Sequence, residues 1–132
     1  MSKQTLTETL DPFTLAYIEA ALWSSTDDEG NPLDANYTAD DLAPETVDTI
    51  IADCRKFQAD NAEDIASGCT RGTGEYSTDE QAGHDFWLTR NGHGAGFWDG
   101  DWTEPHATRL TGAAQAFGSV DLYVGDDGQI HC

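Results

Sequence analysis

Apolar positions recur along this chain at two spacings, and each spacing predicts its own kind of element. From Asp11 to Trp23 the run Phe13, Leu15, Ala16, Tyr17, Ile18, Ala20, Ala21 and Leu22 is interrupted only by Thr14 and Glu19. With Asp11 as N-cap and Pro12 at the first helical position, this stretch predicts a helix that is apolar nearly all round and therefore buried. A second helix is predicted from Pro44 to about Ala66. At roughly 100° per residue, Val47, Ile50, Ile51, Cys54, Phe57 and Ile65 share about a third of its circumference. Glu45, Asp48, Asp53, Asp60, Glu63 and Asp64 fall outside that stripe with Lys56. One face is core, which also accounts for Cys54, and the other is a row of carboxylates.

Between these helices lies a turn-rich acidic loop, Ser24 to Asn36, and Thr38 is placed to cap a short turn through Leu42. Residues 67–77, with Gly68, Gly72 and Gly74, read as a flexible connector, and Thr78 to Ala82 as one helical turn. The segment that follows switches to a period of two. Asn91-Gly92 predicts a tight hairpin joining strands Asp85 to Arg90 and His93 to Trp98, with Phe86, Leu88, Ala95 and Phe97 on the core face. Trp87 and Thr89 then lie on the other face beside Gly94 and Gly96. A third helix is predicted over Thr103 to Phe117, ended by Gly118. Val120, Leu122 and Val124 alternate as a strand that turns at Gly125-Asp126-Asp127-Gly128 into Gln129-Ile130-His131. The expected fold is α+β: a single domain over residues 1–132, frayed over 1–10, with N-terminal helices packed on a small antiparallel sheet of two hairpins and one intervening helix.

Charge changes this picture more than composition does. The 132 residues carry 6 Lys and Arg against 25 Asp and Glu, a net charge of −19, with 4 Trp, 4 Tyr and 5 Phe. The aromatic mass argues against a disordered acidic tail, and the acidity argues against a protein that binds duplex DNA or an anionic membrane directly. No apolar run is long enough to span a bilayer, and Lys3 is followed by threonines and Glu8 instead of an apolar signal, so a cytoplasmic location is expected. The three cysteines, Cys54, Cys69 and Cys132, are an odd number without C-x-x-C spacing, which gives neither a disulfide framework nor a zinc site. Calcium fits poorly too. With Asp27, Glu29 and Asn31 as the first ligands of an EF-hand loop, Pro32 stands where that loop needs Gly and Thr38 where it needs Glu. The spacing of His84, His93, His106 and His131 matches no ligand motif, so no metal, cofactor or catalytic residue is expected.

The string GHDFWLTRNGHGAGFWDGD, with DPFTLAYIEAALWSSTDDEG upstream and SVDLYVGDDGQIH at the C-terminus, resembles a family of small acidic proteins encoded by tailed bacteriophages and prophages. The likeness covers most of the chain apart from Ser67 to Asp79. It implies a phage origin and carries over no functional residue. By analogy with other small acidic phage proteins, it also implies an inhibitor of a host nucleic-acid enzyme.

Fifteen acids lie before residue 67 against three basic residues, and ten lie after it against three. A solvated surface, adaptation to high salt and imitation of nucleic acid all account for such an excess. Imitation is the leading expectation: a non-enzymatic protein that binds a basic host or phage protein and occupies its nucleic-acid cleft. Glu45, Asp48, Asp53, Asp60 and Asp64 would make the contact, with Asp27, Asp28 and Glu29 as a second patch. A first alternative is a small-molecule or nucleotide site at Trp87, His93, Trp98 and Asp99. A second is a virion component that assembles through its apolar first helix.

Overall fold

A computed structural model describes residues 10–27, 29–68, 77–92, 96–97 and 102–132. In chain order these form α1 (Pro12–Ser24), two short 3-10 turns (Leu33–Ala35 and Ala39–Asp41), α2 (Pro44–Gly68), α3 (Thr78–Arg90), α4 (His106–Gln115), β1 (Tyr123–Val124) and β2 (Ile130–His131). The coarse class stands as α+β, with helices and one two-stranded antiparallel sheet.

The local chemistry of α1 is the one its sequence predicts. Asp11 Oδ1 accepts the Thr14 amide at 2.8 Å, Pro12 occupies the first turn, and eight of the thirteen residues are buried. Thr38 and Asp41 form a reciprocal capping box on the second 3-10 turn. In α2 the apolar stripe goes inward through Ile50, Cys54, Phe57 and Ile65. The backbone departs from helical angles at Asn61, whose side-chain amide donates to the Phe57 carbonyl at 2.9 Å. Such a local bond competes with the helical ladder, and the helix kinks there.

The segment read as a hairpin strand is instead α3, one continuous helix from Thr78 to Arg90. Ser77 and Glu80 close a capping box at its start, Asp79 and Glu80 lie in its first turn, and Arg90 in its last. These are the signals of a helix with both ends fitted to the macrodipole. Gly92, at φ +69°, takes the left-handed conformation that ends the helix, so Asn91-Gly92 is a C-terminal cap and not a hairpin turn. The alternation misled because every residue from Gln81 to Arg90 except His84 is buried. A helix whose polar residues Gln81, Asp85, Thr89 and Arg90 are buried along with its apolar ones has no separate polar face to reveal its period. His93 to Ala95 and Trp98, the rest of the expected second strand, lie outside the described residues, as does most of the 67–77 connector.

α1 and α3 pack closest of all. A Cβ on Gly83 would stand 2.0 Å from the Phe13 carbonyl oxygen, so only glycine permits this approach. Around the crossing lies an aromatic core in which Phe57 of α2 and Phe86 of α3 stack with centroids 4.2 Å apart, beside Phe13, Tyr17, Phe97 and Phe117. The third predicted helix is shortened to α4, and Gly118 follows it at φ +76°. The C-terminal hairpin forms with Tyr123 opposite His131 and Val124 opposite Ile130, but its strands are only two residues long. It is fixed to the start of α2, where the Ile130 carbonyl accepts from the Ala43 amide at 2.9 Å and the Thr46 hydroxyl at 3.0 Å.

Candidate protein-binding surface

The α2 carboxylates separate into those that build the fold and those that face solvent. Asp53 accepts from the buried Arg90 guanidinium at 2.9 Å. Asp64, with only 16% of its side chain exposed, sits 2.7 Å from His106 Nδ1 and 3.3 Å from Arg109 Nη1, and so ties α2 to α4 across the kink. The His106 hydrogen bond and the Arg109 charge hold its carboxyl below the usual carboxylate range, against partial desolvation. Glu45, Asp48, Asp60 and Glu63 are exposed. Glu45 meets His131 Nδ1 at 3.2 Å, and Asp60 pairs with Lys56 at 3.0 Å. Along the helix Glu45 and Asp48 form one patch and Asp60 and Glu63 another, about 20 Å apart, with Arg55 and Lys56 between them. The expected row of five thus becomes two outward patches, with Asp53 and Asp64 turned to structural use.

In the second expected patch, Asp27 Oδ1 accepts the amides of Glu29 and Asn31, both at 2.9 Å, and thereby shapes its own loop. Glu29 is exposed, and Asp28 lies outside the described residues.

The alternative site loses its expected geometry. Trp87 is 2% exposed in α3, and its Nε1 donates to Ser24 Oγ at 2.6 Å. Its edge borders a polar hollow of about 440 Å³ with Asn91, Ser119 and Asp121. His93, Trp98 and Asp99 lie outside the described residues.

Two buried charged residues on α3 escaped the sequence reading. Arg90 donates to Asp53, to the Tyr17 hydroxyl at 3.1 Å and to the carbonyls of Phe117 and Gly118, with its guanidinium over the rings of Phe86 and Phe117. Asp85, 1% exposed, accepts from Trp102 Nε1 at 2.7 Å and Gln81 Nε2 at 3.0 Å, with His84 Nδ1 at 3.0 Å. The available signal was their setting, one charge on either side of the apolar run Phe86-Trp87-Leu88, because charged side chains are buried only when partnered.

A groove of about 500 Å³ opens where α1 meets α3, lined by Ala16, Glu19, Ala20, Trp23, Asp34 and His84. Trp23, 61% exposed, is the most exposed large apolar side chain among the described residues. Among those residues no helix is long and apolar enough to cross a membrane, and no three His, Cys, Asp or Glu side chains converge as a metal site. No known family model matches this chain, and no curated protein or solved structure is significantly similar to it.

Proposed function

We propose that this chain is a phage accessory protein that binds a basic nucleic-acid-binding protein and inhibits or modulates it by covering the surface that holds DNA or RNA. One observation carries the reading. Asp48 and Glu63 on the outer face of α2 have no ionic partner among the described residues, in a protein whose net charge is −19. Self-repulsion on that scale costs stability, and complementary charge on a partner relieves it while steering association. Lys56, Arg90 and Arg109 are already drawn to Asp60, Asp53 and Asp64, so little basic charge is left to balance the remaining acids. The binding surface is accordingly the two patches Glu45/Asp48 and Asp60/Glu63. The resemblance to acidic phage proteins supplies the setting, and a host defence nuclease is the target class it favours.

The test is a tagged pull-down from host lysate, with and without phage infection, eluted by rising salt. Recovery of a basic nucleic-acid enzyme that free DNA or RNA displaces is the expected result. A partner that neither salt nor nucleic acid displaces would rule out charge imitation.

A further inference from the structure

We infer that the groove beside Trp23 seats an arginine side chain of the basic partner, and that this contact supplies the specificity which a diffuse acidic surface lacks. The inference rests on the proposed basic-partner reading and adds a place and a side chain to it. Ala16, Glu19, Ala20 and Trp23 share one stripe of α1 and line the groove, the two alanines buried and Trp23 and Glu19 exposed. Asp34, on the first 3-10 turn, and His84 of α3 complete the lining. Neither Glu19 nor Asp34 makes an ion pair or side-chain hydrogen bond among the described residues, so both carboxylates face the groove uncommitted.

This chemistry selects its occupant. A purely apolar side chain would cover Trp23 but would strip water from two carboxylates without replacing it. A second copy of the chain would bring another −19 charges to the same place. A guanidinium satisfies both kinds of surface at once, with its flat face on the indole and its edge donating to carboxylate oxygens. Lysine offers a compact, strongly hydrated charge and meets only the carboxylates well.

The probe is a blocked Gly-Arg-Gly-Arg-Gly peptide titrated into the full chain at low salt. The Trp23 indole N–H is followed by NMR after assignment with Trp23→Phe, and a lysine peptide of the same length serves as comparison. A saturable shift of that resonance is expected, with the lysine peptide binding several-fold more weakly. Trp23→Ala should lower arginine-peptide affinity about tenfold, and Glu19→Gln with Asp34→Asn by a similar factor. All three positions are exposed, and circular dichroism of each variant checks that the fold is kept. Peptide binding that leaves the Trp23 resonance unmoved and survives Trp23→Ala would overturn the groove assignment while the basic-partner reading stands. Failure of both peptides to bind at low salt would remove the reading beneath it as well.

Discussion

α2 and α3 use charge in opposite places. α2 holds Glu45, Asp48, Asp60 and Glu63 on the outside, in two patches that the core does not need. α3 holds Asp85 and Arg90 on the inside, Arg90 among partners from α1, α2 and the turn after α4, and Asp85 among Trp102 and its own helix's Gln81 and His84. An exposed charge is worth little to stability, while a buried one is costly to form and more costly to orphan. The interior charges of α3 therefore help to fix its surroundings, and the exterior charges of α2 are the ones that the proposed recognition uses. Even the acids of α2 obey this division, since Asp53 and Asp64 face inward and are paired.

Removing Arg90 should break the comparison most severely. Arg90→Met leaves Asp53, the Tyr17 hydroxyl and two carbonyls without their donor, and we expect a loss of roughly 3–5 kcal/mol in urea unfolding. Asp85→Asn should cost about 2 kcal/mol. Trp102 Nε1 and Gln81 Nε2 both donate to the same oxygen, Oδ2, so the variant leaves them one neutral carbonyl acceptor in place of a carboxylate and sets its amide against His84 Nδ1. A pair of variants that unfold like the parent would show that α3's charges are incidental to the fold.

A smaller effect separates the two helices by pH. His131 clasps the C-terminal hairpin to the start of α2 between Asp127 and Glu45. The Asp127 hydrogen bond, and then the charges of Asp127 and Glu45, raise its pKa above the ordinary 6.5, against some desolvation. A raised folded-state pKa stabilises fully below pH 6.5 and less as pH climbs through the higher folded value. The melting temperature of the parent should therefore fall more steeply than that of His131→Gln as pH rises above 6.5. Parallel profiles would show that the clasp contributes nothing.

Legibility in the sequence followed the same division. α1 was readable from the Asp11 side-chain N-cap and Pro12 in its first turn, and α2 from Pro44 and its one-sided apolar stripe. α3 was not, because its burial on every side erased the helical period and an Asn-Gly pair that ends a helix also signals a hairpin. The Ser77–Glu80 capping box was the cue that distinguishes them. For the surface, the residue types were legible but their commitments were not. Whether Asp53 and Asp48 face a partner depends on where Arg90 lies, and position 90 reaches α2 only through the fold.

The most direct test of the account is the salt concentration that releases the captured basic protein, compared between the parent and a variant carrying Asp48→Asn, Asp60→Asn and Glu63→Gln. Each of these exposed substitutions should change unfolding by no more than about 0.5 kcal/mol. The account predicts release from the variant at clearly lower salt with stability kept. Release of both proteins at the same salt would contradict it, because the outward acids of α2 would then have no part in recognition.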